Sequence, residues 1–213
     1  MPNSHRVLQI NKSGDQAELQ LVEQALSDPG EKEVRVKLQA VGLNRADLLF
    51  QQDLYFQKPS PNSRIGIEGA GVVEACGPGS AFKEGDRIAI LPMSIDIAQQ
   101  GTLADYGIYR DEQLIPVDNQ LSIEQASSMW IAGMSAWGGL IHAGQLKGNQ
   151  YVLINAASSA VGIAAIQVSK SLGANVIACT RGEQKHAAIM ATGADICILQ
   201  QAVPVTMRAM SPS

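Results

Sequence analysis

Between Tyr151 and Arg181 lies a run of small residues whose types and spacing could hold a phosphate. It reads NAASSAVGIAAIQVSK and follows the continuous apolar stretch Tyr151-Val152-Leu153-Ile154. A turn from a buried parallel strand into a helix needs small residues at three places. One makes the tight turn, one lets backbone N–H groups approach a pyrophosphate, and one lets helix and strand pack closely. Ala157, Ser159 and Gly162 occupy those places within Ala157-Ser158-Ser159-Ala160-Val161-Gly162. Only the last is glycine, so the case rests on context: a buried strand before, an amphipathic helix after, and a second strand ending where a ribose would be read. An acidic side chain at that end would bond a ribose 2′-hydroxyl. Thr180 and Arg181 stand there instead, with Lys185 a helical turn further on. A hydroxyl and two cations suit a 2′-phosphate, which makes NADPH the expected cofactor. The competing reading makes Arg181 and Lys185 a solvated helix start.

These residues need a parallel sheet to carry them, and the hydrophobic pattern supplies one. Tyr151–Ile154, Asn175–Cys179 and Ile196–Leu199 read as strands, with helices predicted at about 160–172 and 183–192 between them. That β-α-β-α-β order is half of a doubly wound sheet. Upstream, Ser122 as N-cap and Gln125 at the capping-box position begin a helix, and a second helical run covers 134–143. From His5 to about Val117 the texture differs. Val34, Val36, Leu38 and Ala40 alternate with polar residues, and similar short runs recur at 19–26, 71–76, 87–91 and 104–109. Turn signals such as Asp28-Pro29-Gly30 and Gly77-Pro78-Gly79 separate them, which predicts a small β-barrel or sandwich. The stretch 200–213 has no period and receives no predicted structure.

Composition narrows the function classes. The 213 residues are 46% hydrophobic and 17% charged, an ordinary globular balance. Sixteen Lys and Arg against twenty Asp and Glu give a net charge of -4, which disfavours non-specific nucleic-acid binding. Cys76, Cys179 and Cys197 have no metal-ligand spacing. No signal-peptide or membrane-spanning stretch is found, so a soluble, cytoplasmic chain with no membrane partner is expected.

Six segments in order resemble the medium-chain dehydrogenase/reductase superfamily, specifically its zinc-free quinone-reductase-like branch. They are AVGLNRADLLF, RIGIEGAGVVEACGPGS, FKEGDRIAI, GTLADYGIYRDEQLIPVDNQLS, AGMSAWGGL and NAASSAVGIAAIQ. The resemblance implies a GroES-like β-barrel catalytic domain over residues 1–121, then a partial Rossmann domain over 122–201, with 202–213 an unstructured tail. It implies an active site in a cleft between the domains. It also implies hydride transfer from NADPH to a quinone or an α,β-unsaturated carbonyl. By the same resemblance Asn44 and Tyr55 are the catalytic residues. Asn44 would lie near the nicotinamide and its ribose, Ser135 near the carboxamide, and Tyr55 would bond the substrate oxygen or relay a proton. From residue type alone, Tyr55 also reads as a core-edge aromatic, Asn44 as a turn former, and Asp47 as the N-cap of a helix over 48–52.

Zinc-dependent relatives of this superfamily build their site from Cys, His followed by Glu, and a further Cys or acid. The matching positions here are Asn44, Ile67 followed by Glu68, and about Ile131, so no metal is expected. Arg and Gly are common in the family shortly before the tyrosine, where Gln52 and Asp53 stand, and a cofactor-packing tyrosine is common where Gln200 stands. The family's second half-sheet and returning segment have no counterpart, so truncation of the chain is expected. An uncovered sheet edge would then offer a route to dimerisation or non-specific association. A catalytically inactive nucleotide-binding or interaction fragment is the alternative function.

Overall fold

Apolar residues alternating along Glu33–Gly42 (β3) make the central strand of the first half of the chain. In the computed structural model, which describes residues 3–12 and 17–202, Val34 and Val36 are fully buried on one face of this strand. Its neighbours complete a five-stranded antiparallel sheet: Glu68–Cys76 (β5), Arg87–Ile90 (β6), Tyr106–Arg110 (β7) and Leu114–Pro116 (β8). The order is β7-β3-β5-β6-β8. Ser4–Lys12 (β1), Glu18–Ala25 (β2) and Ser63–Arg64 (β4) form a second antiparallel sheet in the order β2-β1-β4. Val34, Val36, Val73, Ile88, Ile90, Ile95, Tyr109 and Leu114 fill the core beneath the larger sheet. The register of β3 against β5 shifts twice, at Arg35/Val36 and at Leu38/Ala40. Next to the second shift a Cβ on Gly71 would collide with the backbone of Lys37.

The short helices of this half are Arg45–Gln51 (α1), Ile97–Gln100 (α2) and Ile123–Ser128 (α3). As expected, Ser122 caps α3: its hydroxyl accepts from Gln125 N at 3.2 Å, while Gln125 Oε1 accepts from Ser122 N at 2.9 Å. The helix packs on β3 and β5, and Ala126 joins Ala70 and Ala89 in a small core. The chain's contacts divide it into two units at Trp130/Ile131. The α3 segment, grouped by sequence with the second half, therefore sits on the first unit's sheet. At α1 the N-cap is Asn44, not Asp47. Asp47 occupies the third helical position, and its carboxylate accepts from Asn44 N at 2.7 Å.

Trp130–Trp137 (α4) leads into the second unit and continues as a π-helical turn over Gly138–Ala143, where the sequence pattern predicts one helix over 134–143. The pair Gly138-Gly139 is the physical reason, since adjacent glycines weaken the regular helix. The strands Tyr151–Ile154 (β9), Asn175–Thr180 (β10) and Ile196–Leu199 (β11) form a parallel sheet in the order β11-β10-β9. Ala160–Ser171 (α5) and His186–Ala191 (α6) are the crossovers, the latter entered through a 3-10 turn over Glu183–Lys185. Ile154, Ala157, Ile166, Val176, Ala178 and Ile189 are its core. Lys170 Nζ holds both oxygens of Asp195 at 2.8 Å, and Asp195 Oδ2 accepts from Val176 N, tying the end of α5 to the start of β11. Gln200–Ala202 form a 3-10 turn; the rest of the predicted tail lies outside the described residues.

Two glycines are expected to respond to alanine in opposite directions. Gly71→Ala forces a methyl into the β3 backbone and should cost about 1–3 kcal/mol. Gly133 on α4 has open space around its Cβ position, so Gly133→Ala should gain roughly 0.5–1 kcal/mol. Thermal unfolding followed by circular dichroism measures both signs.

Candidate functional site

At the carboxyl ends of the three parallel strands lies an open cavity of about 720 Å³. Asn155 follows β9, Thr180 and Arg181 close β10, and Gln200 follows β11, so each strand delivers a residue to its wall. Ligands in open α/β sheets bind at this end. The loop from β9 to α5 turns at Ala156, whose φ of 48° is the left-handed conformation that favours glycine. Ala157 is fully buried, and its N–H donates to Cys179 O at 3.0 Å, which pins the loop against β10. A Cβ on Gly162 would meet Ala156 O at 2.6 Å and Ala157 Cα at 2.7 Å, so at this position the helix start lies tight against the loop that follows β9. Ser159 is the N-cap of α5 and accepts from Gly162 N at 3.0 Å. The N–H groups of Ala160 and Val161 have no acceptor among the described residues. Two free donors and the positive end of a 12-residue helix suit an anionic ligand.

The far wall is cationic. Arg181 and Lys185 are exposed, and Lys185 Nζ donates across the cavity to Ser158 Oγ at 3.3 Å. Thr180 is buried, with its hydroxyl at 3.5 Å from Gly182 N and O. None of the described lining residues is acidic. Of the residues singled out by sequence, Ser158, Ser159, Thr180, Arg181 and Lys185 line this cavity together. Ala157, Ala160, Val161 and Gly162 shape the loop and helix start behind it. Ser135 is exposed on α4 and is not part of the wall. Gln200, where the resemblance puts a cofactor-packing tyrosine, also lines it; Asn155 and Gln184 do so without having been singled out, and the strand-end rule was the signal that could have found Asn155.

Asn44 and Tyr55 belong to the first unit, beside a pair of buried carboxylates. Asn44 Nδ2 donates to Glu68 Oε1 at 2.8 Å. Glu68 is 1% exposed, and its Oε2 accepts from Trp130 N, the first residue of α4, at 3.1 Å. A carboxylate only accepts, so this bond fixes the orientation of the Asn44 amide and leaves its oxygen as the group to be offered elsewhere. Asp47 is buried, and its Oδ1 has no hydrogen-bond partner. Burial pushes its carboxyl up to about 6; the Asn44 N–H pulls it down and the nearby charge of Glu68 raises it. Tyr55 is half-buried, its hydroxyl 3.6 Å from Met93 Sδ and its ring 4.4 Å from that of Phe56. Burial, and then Asp47, raise its phenol. Among the described residues no three His, Cys, Asp or Glu side chains are grouped to hold a metal, and no helix is long and apolar enough to cross a membrane.

Comparison with known proteins agrees with this architecture. Residues 30–123 match the alcohol dehydrogenase GroES-like domain. The chain is 33% identical over 162 residues to a quinone oxidoreductase of Pseudomonas aeruginosa, covering 75% of this chain and 47% of that protein. Among solved structures, a probable oxidoreductase from Mycobacterium abscessus superposes with a TM-score of 0.87 at 27% identity, covering 97% of this chain and 65% of that one. The quinone oxidoreductase of Thermus thermophilus, solved alone and in complex with NADPH, gives 0.81 at 29% identity, covering 96% and 63%. A GroES-like β domain followed by a partial dinucleotide-binding sheet is the plan of a medium-chain dehydrogenase/reductase. In sequence and fold the chain is similar to members of that superfamily, quinone oxidoreductases among them. It spans about half the length of the curated relatives it matches.

The raised carboxyl of Asp47 has a sign that can be measured. From the ordinary aspartate value up to about 6, the folded chain holds a proton that the unfolded chain releases. Stability therefore falls as pH rises through that window and is level above it. The full change is on the order of 3 kcal/mol. Asp47→Asn should flatten this dependence, gaining on the wild type between about pH 4 and about pH 7 in urea unfolding. An unchanged slope in the variant would assign the titration elsewhere.

Proposed function

We propose that the chain carries the catalytic domain and the first half of the cofactor site of an NADPH-dependent, metal-free oxidoreductase that reduces a quinone or an α,β-unsaturated carbonyl. The observation that carries this reading is the cavity at the strand ends: Ser158 and Ser159 form one wall with the start of α5 and its two free N–H groups behind it, Arg181 and Lys185 form the other, and no described lining residue is acidic. Its residues fit the cofactor group by group. The N–H groups of Ala160 and Val161, with the hydroxyl of Ser158, would hold the pyrophosphate. Arg181 and Lys185 would pair with the 2′-phosphate, aided by the Thr180 hydroxyl. Bound NADPH supplies a hydride.

The rest falls to the chain's own side chains. By resemblance, Asn44 and Ser135 orient the nicotinamide end, and Glu68 presents the oxygen of the Asn44 amide, a group that accepts from a hydroxyl. Tyr55, whose phenol keeps its proton more firmly than usual, holds at its oxygen the proton that a reduced carbonyl requires. Asn44 and Ile67 stand where zinc-dependent relatives carry ligands; isoleucine has no donor atom, so the reading uses an acceptor that needs no Lewis acid. Conjugated acceptors qualify because they spread the incoming charge.

A second reading, a non-catalytic nucleotide-binding or interaction fragment, is favoured by apolar exposure in the second unit. Tyr151 on the sheet-edge strand β9 is 64% exposed, and Val161 and Met190 are exposed on α5 and α6. Under that reading the open edge associates with a second copy or another chain.

Thermal melts with each nucleotide separate these readings. NADPH at a hundredfold excess over Kd should stabilise the chain by about 2.7 kcal/mol, with NADH far weaker. Arg181→Ala should weaken NADPH by roughly 10- to 100-fold and leave NADH nearly unchanged. Equal response to both nucleotides, or to neither, would sink the NADPH assignment. Oxidation of NADPH by a quinone then decides between enzyme and fragment.

A further inference from the structure

The first unit contains a second, smaller cavity of about 270 Å³ whose walls include two buried guanidinium groups, Arg35 and Arg64. Their situations differ. Arg35 is held by Glu74 Oε2 at 2.6 Å and by Asp28 Oδ1 and Ser27 O, so its charge is answered. Arg64 is 9% exposed and has no carboxylate within ion-pair distance among the described residues. Its Nε donates to Gly101 O at 3.1 Å and its Nη2 to Tyr106 O at 2.7 Å, while Nη1 donates to nothing among the described residues. Two carbonyl dipoles offset only part of the cost of burying a cation.

A third group on the same wall points the same way. His5 is 8% exposed, packs edge-on against Tyr106 with ring centroids 5.9 Å apart, and its Nδ1 has no hydrogen-bond partner. The charged groups around it are Arg64 and Asp105. Burial and Arg64 push its titration below the ordinary histidine value; Asp105, itself bound to Arg6 at 2.9 Å, opposes them. The one acid among the described lining residues, Glu33, has its Oε2 engaged by Gly30 N at 2.9 Å. The pocket thus has a cation with a free donor, an unpartnered imidazole nitrogen, and room for a small group.

We propose that this cavity is a binding site for a small oxyanion, a phosphate or carboxylate group received by Arg64 Nη1 and flanked by His5. None of its residues belongs to the cofactor cavity at the strand ends, so the site stands or falls independently of the proposed function. An anion there completes the Arg64 fork with a charge-assisted bond and offsets the Arg64 charge that, after burial, opposes protonation of His5.

The experiment follows the His5 ring protons and the backbone amides of Tyr106 and Ile108 by nuclear magnetic resonance in the intact chain. Inorganic phosphate and sodium acetate are titrated in separate arms, with sodium chloride at matched ionic strength as the reference. A saturable shift in either arm, together with a rise in the His5 titration midpoint, is the expected result. A stronger phosphate arm identifies a phosphoryl ligand, and a stronger acetate arm a carboxylate. Arg64→Gln should weaken the response about tenfold or more, and Arg64→Lys should retain part of it. Linear shifts indistinguishable from those of sodium chloride in the wild-type chain would overturn the proposal, whether or not the variants fold.

Discussion

Glu68 is a carboxylate with almost no access to water, and the surroundings it requires organise the first unit. A buried charge is tolerated only when its oxygens are met by donors. The donors here come from places far apart in the chain: the amide of Asn44 ahead of α1, and the N–H of Trp130 at the start of α4. The approach is tight. A Cβ on Gly42 would meet Glu68 Oε1 at 2.5 Å and Ser127 O at 2.6 Å, so the end of β3 must be glycine for β5 and α3 to close around the carboxylate. One buried side chain thereby sets the spacing of a strand end, a helix start and the departure point of the helix that follows, and it orients the Asn44 amide at the same time.

Much of the second unit was legible because its elements follow period and capping rules that act locally. Tyr151–Ile154 is a short apolar run and forms a strand, and the amphipathic stretch after the small-residue run forms the helix α5; in the first unit Ser122 carries its partner three positions on and caps α3. The segments that departed from expectation are those where distant contacts decide. Asn44 takes the N-cap position expected of Asp47, because Asp47 is drawn inward to bind the Asn44 N–H. The α3 helix joins the first sheet through Ala126, a residue too small to announce a partner in the sequence.

The candidate site divides along the same line. Ser158, Ser159, Thr180, Arg181 and Lys185 could be found because one strand-turn-helix geometry places them, and they do share a cavity. The importance of Glu68 and the burial of Arg64 were not visible. A glutamate in a glycine-rich strand and an arginine after a polar turn both read as surface residues. Only the packing of elements separated by dozens of residues turns them into interior charges. Charges of that kind define the first unit's polar interior, whereas in the second unit Arg181 and Lys185 stand exposed at the rim of one open cavity.

Ala156 carries the left-handed bend of the loop although it has a side chain, and a non-glycine residue in that conformation costs on the order of 1 kcal/mol. Glycine would remove the strain, but it would also widen the range of shapes the loop samples before anything binds. With alanine the bend is held by Ala157 N on Cys179 O and by Ser159 N on Ala156 O, so the peptide groups facing the cavity have one orientation from the outset. The loop is a stiff die and not a hand that closes: a ligand of the wrong shape meets resistance in the backbone itself, and one of the right shape leaves the loop's entropy almost untouched.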